Sequence, residues 1–310
     1  MNKRPITRRQ FIEASAALTG GVMLAGLSAS AADQPVKRTA VDQVTLGKSG
    51  IKLSRLGIGV GSNSGSVQRA LGDEGFNKLI RYAYERGITY IDTADSYRTH
   101  AYVRRAIKGL PREKFFIQTK MGGIPEKPLQ ELDRFRKELG VDYVDSVLLH
   151  CMTSPDWDKS HKKVMDALEE AKQKKIIRVH GLSCHSLPAL KRSVELDWVD
   201  VHLVRVNPQG AHMDTLSEKW DARSDTSHVP PVMEQLKLMH AKKHGVIGMK
   251  LIGNGDFTKA EDREKAARHA IQCGYLDAVV IGMKSHAEVD EAIERLNRAL
   301  AEAPASKPMT

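Results

Sequence analysis

From residue 56 to residue 301 the chain alternates, eight times over, between short apolar runs and longer polar stretches, most of them with apolar residues at three-to-four spacing. The runs lie at 56–61, 88–92, 115–120, 147–150, 177–183, 199–207, 246–251 and 278–282. They are too short for helices and suit strands buried on both faces. Helical stretches fall at 76–86, 102–109, 129–139, 160–175, 231–244, 259–272 and 287–301. In the first of these, Leu79, Ile80 and Ala83 keep helical spacing and Gly87 ends the pattern. Strand and helix alternate, with a helical stretch left unassigned only between 177–183 and 199–207. That order predicts an α/β chain with a parallel sheet, and eight β–α units of this spacing predict a (β/α)8 TIM barrel.

Ahead of the barrel, residues 43–53 read as a β-hairpin, with Val44 and Leu46 before the turn Gly47-Lys48-Ser49-Gly50 and Ile51 and Leu53 after it. Residues 33–42 are polar and read as a linker, so the barrel domain spans 43–310. A length of 310 residues leaves room for one such domain and an N-terminal address, residues 1–32. There, Thr7-Arg8-Arg9-Gln10-Phe11-Ile12 is a twin-arginine pattern, and the uncharged run 14–27 is too short to span a bilayer. Ala29-Ser30-Ala31 supplies a small-residue cleavage site. The whole reads as a Tat export signal that engages the Tat machinery and sends the chain to the periplasm of a bacterium, with no stable membrane span after cleavage. An uncleaved anchoring helix is the alternative.

The net charge is +10, about three of it from the leader, so the mature surface suits an anionic ligand. Aromatic and basic residues are not interleaved, which argues against nucleic acid as a partner. Cys151, Cys184 and Cys273 show no paired spacing, so no disulfide framework is expected.

Functional groups of such a barrel sit where its strands end. Asp92 closes the second run, with Tyr97 five positions on; Lys120 closes the third and His150 the fourth. Each has an ordinary reading: a helix cap, a surface lysine, a core histidine. Together they make a device for proton transfer to a carbonyl. A phenol with pKa near about 10 is a poor acid at neutral pH unless its surroundings adjust it. An ammonium beside Tyr97 would stabilise phenolate, Asp92 would hold that ammonium, and His150 could orient the carbonyl oxygen.

The segments Asp92-Thr93-Ala94-Asp95-Ser96-Tyr97, Thr119-Lys120 and Leu148-Leu149-His150 stand in the order of the catalytic tetrad of the aldo-keto reductases, a family this chain resembles over about residues 43–300. The resemblance implies reduction of a small aldehyde or ketone to its alcohol by a nicotinamide cofactor, with Tyr97 as proton donor. It also implies that the hairpin closes the bottom of the barrel. It places the cofactor against Gly59, Ser183, Cys184, Met249, Lys250, Gly253, Lys284 and Ser285. Here Cys184 stands where the family has asparagine, Leu203 where it has glutamine, and Met249 where an aromatic residue covers the nicotinamide. Lys284 and Ser285 match the loop that takes the 2′-phosphate, which favours NADP(H) over NAD(H), although Glu288 lies near the place of a usual arginine.

His150-Cys151 and Cys184-His185 match no zinc spacing, and consecutive strand residues point to opposite faces, so no metal is expected. Trp157 and Trp220 could wall an apolar substrate or serve packing alone. A second reading keeps the scaffold and drops the turnover: a dinucleotide-binding sensor or interaction protein, favoured by the altered carboxamide grip.

Overall fold

The computed structural model describes residues 38–219 and 224–304. The twin-arginine segment and Trp220 lie outside them. Eight parallel strands close into a barrel in the order β10-β3-β4-β5-β6-β7-β8-β9. These are β3 (Leu56–Gly59), β4 (Tyr90–Asp92), β5 (Phe116–Met121), β6 (Val144–Met152), β7 (Ile177–Cys184), β8 (Val201–Arg205), β9 (Gly245–Met249) and β10 (Ala278–Gly282). The preceding hairpin pairs β1 (Gln43–Thr45) with β2 (Lys52–Ser54), Val44 opposite Leu53.

Strand side chains alternate in direction, so one set of residues fills the barrel and the other meets the helices. The interior is built from Tyr90, Phe116, Leu148, Val179, Val201, Leu203, Ile247 and Val280. Leu46, Ile51 and Leu53 of the hairpin join that same cluster and stopper the amino end of the barrel. The hairpin is tied there by hydrogen bonds from the Gly47 amide to Asp277 (3.0 Å) and from the Thr89 and Tyr90 amides to Ser54 Oγ (2.9 and 3.1 Å). The other set (Ile58, Ile91, Ile117, Val147, Leu149, Leu182, Val204, Val246) packs with the helices in the larger core.

Four details differ from the sequence reading. A helix, Leu187–Glu195, follows β7 where none was expected; Ser186 caps it by accepting from the Ala189 amide, and Pro188 stands in its first turn. A short helix, Ser66–Arg69, precedes Gly72–Glu85. Strand β6 begins three residues earlier than its apolar run, because Asp145, buried inside it, is held by Arg112 (2.7 Å) and Arg178 (2.8 Å). Residues 38–42, assigned to a linker, are partly packed: Arg38 donates to the Leu300 and Ala303 carbonyls, and Ala40 is fully buried. Among the described residues, no helix is long and apolar enough to cross a membrane.

Candidate active site

Three inward positions of β5 climb the barrel as Phe116, Gln118 and Lys120. Phe116 belongs to the apolar floor. Gln118 forms a polar middle layer: its amide donates to Asp92 Oδ1 and Tyr90 Oη, both at 2.9 Å, and its oxygen accepts from Ser146 Oγ at 3.0 Å. Above it, Lys120 Nζ donates to Asp92 Oδ1 (2.7 Å), Asp92 Oδ2 (2.9 Å) and the Thr93 carbonyl (2.8 Å). All three ammonium donors are therefore used. Lys120 is 1% exposed and Asp92 6%, so the pair would be costly to bury without these partners. Burial pulls the Lys120 pKa down, but the charges of Asp92 and Tyr97 outweigh it and leave it above the ordinary value.

Tyr97 ends the short 3-10 turn Asp95–Tyr97, and its ring centroid lies 4.9 Å from Lys120 Nζ. His150, at the carboxyl end of β6, meets it edge-on at 5.5 Å between centroids. The structure thus brings together all four residues that the sequence singled out. The electrostatics differ in one respect. Lys120 does lower the Tyr97 pKa, yet burial is the larger effect and Asp92 adds to it, so the phenol lies above its ordinary value. Burial and the neighbouring Lys120 push His150 down to about 3, which makes it a neutral imidazole.

The seat of Tyr97 is shaped by the segment after β3. Gly61 lies flat against its ring; a Cβ there would come within 2.2 Å of Cε2. Gly65, at φ +81°, lets the backbone approach the Tyr97 carbonyl, to which Arg69 donates. From behind, Arg134 pairs with Asp95 (3.0 Å) and Glu138 (2.8 Å). His100 completes this group, so the one set of potential metal ligands among the described residues, Asp95, His100 and Glu138, already surrounds a guanidinium.

A groove of about 470 Å³ opens beside Asp92 and Tyr97 and runs between the ends of β9 and β10. Gly59, Met249, Lys250 and Lys284, assigned to the cofactor from sequence, line it together with Gly61, Gly282, Arg263 and Arg295. Glu288 and Glu291 line it too, and Arg263 and Arg295 both pair with Glu291. Lys250 and Lys284 are therefore the lining cations best placed to meet an elongated anionic ligand, such as a dinucleotide, in the groove. Gln68, fully buried, fixes its edge by donating to Ser62 Oγ (2.9 Å) and the Met283 carbonyl (3.1 Å). Burial, with Arg205 nearby, brings Lys250 down to about 8, and its ammonium reaches Asn254 Oδ1 at 2.5 Å.

Four assigned contacts sit elsewhere. Cys184 is buried in the outer core, near Ser193 of the helix that follows β7, because it falls on the helix-facing side of the strand; it does not line the groove. Ser183 points inward, but its hydroxyl accepts from the Cys151 amide at 2.9 Å. Ser285 caps the last helix, accepting from the Glu288 amide, while Glu288 accepts from the Lys284 amide at 2.8 Å. Gly253 is buried against the Phe257 ring and shapes the loop rather than lining the groove. Trp157 is core: it is 1% exposed and donates to the Ala189 carbonyl.

One residue of the site escaped sequence reasoning. Arg205, at the inward carboxyl end of β8, is fully buried, paired with Asp214 at 2.9 Å, and donates to the His212 carbonyl at 2.7 Å. Burial pushes Asp214 up to about 7 against the pull of Arg205. The signal was an arginine at an inward position of an apolar run. Its charge reaches Cys151, His185 and Lys250, although Arg205 itself is buried beneath the surface and paired with Asp214.

A model of the aldo/keto reductase family matches residues 55–305. "Probable aldo-keto reductase 1" of Glycine max is 31% identical over 182 residues, 51% of this chain and 51% of that protein. Methylglyoxal reductase of Salmonella typhi is 33% identical over 120 residues, 37% of this chain and 45% of that protein. The chain spans about half the length of the curated relatives it matches. Among solved structures, the holo form of an aldo-keto reductase from Bacillus halodurans superposes with a TM-score of 0.64 at 17% identity, covering 86% of this chain and 97% of that one. An aldo/keto reductase from Brucella melitensis gives 0.60 at 19% identity, covering 86% and 98%. At these identities the structural likeness is one of fold.

Proposed function

We propose that this chain, which belongs to the aldo/keto reductase family, reduces a small aldehyde or ketone to the alcohol with hydride from NADP(H), Tyr97 supplying the proton. The observation that carries this reading is Lys120, bonded to both oxygens of Asp92 while 4.9 Å from the Tyr97 ring, with Asp92 and Tyr97 lining a groove of about 470 Å³. A nicotinamide cofactor in that groove would supply the hydride, which no side chain can. His150, neutral, donates to the carbonyl oxygen and orients it. The oxygen of the forming alkoxide takes its proton from the Tyr97 hydroxyl, and Lys120 stabilises the phenolate left behind. A phenol held above its ordinary pKa is fully protonated at neutral pH, the state a proton donor needs.

Lys284 stands at the end of β10 on the groove, where an ammonium would attract a 2′-phosphate. Lys250, on the same groove, would reach a phosphate of the cofactor. Export through the twin-arginine leader belongs to the same reading and is tested by cell fractionation: the shortened chain is expected in the periplasm, and a full-length cytoplasmic product would overturn it.

The experiment is a titration of the purified chain with NADPH and NADH, then a carbonyl substrate screen with Tyr97→Phe as control. NADPH binding that weakens about tenfold in Lys284→Ala, and turnover lost in Tyr97→Phe with binding retained, are expected. Unchanged turnover in Tyr97→Phe sinks the mechanism. One observation favours a second reading: neither Cys184 nor Leu203 presents a polar group to a carboxamide. Nucleotide binding without turnover of any carbonyl compound would select the non-catalytic dinucleotide-binding protein.

A further inference from the structure

We infer that Ser96 is a positioning residue for carbonyl reduction: its hydroxyl, 3.4 Å from His150 Nδ1, holds the imidazole as its Nε2–H tautomer, so that Nε2 offers a donor to the carbonyl oxygen. This rests on the reductase reading above. A neutral imidazole carries one proton, and the partner of one nitrogen decides which nitrogen bears it. His150 is neutral, with a pKa near 3. Its Nδ1 faces Ser96, and its Nε2 makes no hydrogen bond among the described residues.

The surroundings of Nδ1 favour the acceptor role. A carboxylate there would draw the proton onto Nδ1 and leave a lone pair at Nε2, facing an equally electron-rich carbonyl oxygen. The nearest candidate, Asp95, is taken up by Arg134 at 3.0 Å. A serine hydroxyl can donate, and in donating to Nδ1 it completes the Nε2–H form. Ser96 adjoins Tyr97 in the same turn, so the residue that sets the tautomer is carried by the segment that presents the acid. Ser96 is exposed and makes no other side-chain hydrogen bond among the described residues, so its hydroxyl is not part of the packing.

The test is a two-bond proton–nitrogen correlation spectrum of the full chain labelled on its twelve histidines, with His150 assigned by its loss in His150→Gln. The wild type is expected to show Nε2–H at neutral pH. Ser96→Ala is expected to shift His150 toward a mixture of tautomers and lower kcat/KM about tenfold, the scale of one lost hydrogen bond, with NADPH affinity unchanged. Ser96→Thr, which keeps the hydroxyl, is expected to restore both. A wild-type His150 protonated on Nδ1, or a tautomer indifferent to Ser96→Ala, overturns the inference. The spectrum does not depend on turnover: an Nε2–H signal lost in Ser96→Ala, in a chain that reduces nothing, would retain the tautomer assignment and refute the reductase reading.

Discussion

Lys120 Nζ lies 2.7 and 2.9 Å from the two carboxylate oxygens of Asp92, and the remaining ammonium donor goes to the Thr93 carbonyl. The cation is thus fixed by three acceptors, two from the last residue of the neighbouring strand and one from the residue after it, and the Gln118 amide supports that carboxylate from below. Such a pair positions charge; it is poor evidence for net stability, since each ion has lost its water.

Breaking one side of the pair should therefore cost more than removing both. Lys120→Met leaves the Asp92 carboxylate buried without its cation and should destabilise the fold by about 3–5 kcal/mol. Lys120→Met combined with Asp92→Asn should recover much of that loss. Neither protein should reduce carbonyl compounds. Urea midpoints of the three proteins decide it, and equal losses in single and double variants would contradict the argument.

The pH profile follows from two groups. His150, at about 3, does not titrate between pH 5 and 8, so no limb near the ordinary histidine value is expected. Tyr97 lies above its usual value near about 10, so carbonyl reduction should stay flat through neutral pH and fall only above that value. Alcohol oxidation needs the phenolate and should rise over the same range. Initial rates in both directions check the signs; a limb near pH 6.5 that His150→Gln removes would show that His150 is charged.

Gly61 offers a clean steric test. A methyl at this position would sit 2.2 Å from Tyr97 Cε2, so Gly61→Ala must shift the ring. A displacement near 1 Å at a reacting group costs about 10²-fold in rate, while overpacking costs about 1–3 kcal/mol in stability. Turnover should collapse while the protein remains folded. A variant with normal kcat would mean that the ring of Tyr97 is free to move without consequence.

The barrel was legible because its strands announce themselves twice, as apolar runs and by what ends them. The positions of Asp92, Lys120 and His150 follow from those ends, since a strand fixes side-chain direction residue by residue, whereas Tyr97 lies on the turn after β4 and follows from its spacing to Asp92. Where direction was not considered, the reading slipped. Cys184 follows Ser183 and so turns to the helices, whatever the resemblance implies. Arg205 shares the inward face with Leu203 and went unnoticed inside an apolar run. The helix Leu187–Glu195 was missed although Ser186 and Pro188 mark its start. Long-range pairings such as Gln68 to Met283 or Arg134 to Asp95 leave no trace in local pattern, because neither partner constrains its own neighbours.

The groove wall carries a separate, pH-dependent brace. Glu264, on the helix Ala260–Gln272, accepts from Arg298 (2.8 Å) and Arg295 (2.7 Å) on the helix His286–Glu302. Its hydrogen bond to Arg298 is the larger cause, followed by Arg295, in holding its pKa down to about 2. A carboxyl depressed on folding contributes stability above its unfolded value, about 4.3, and loses it as pH falls toward 2. Because the network is partly open to solvent, its contribution at pH 7 is set at about 1 kcal/mol. Glu264→Gln should therefore lower the urea midpoint at pH 7, and the gap from wild type should narrow between pH 4.5 and 2. Salt should narrow it too. A gap that persists at pH 2 would mean that Glu264 acts through packing rather than charge.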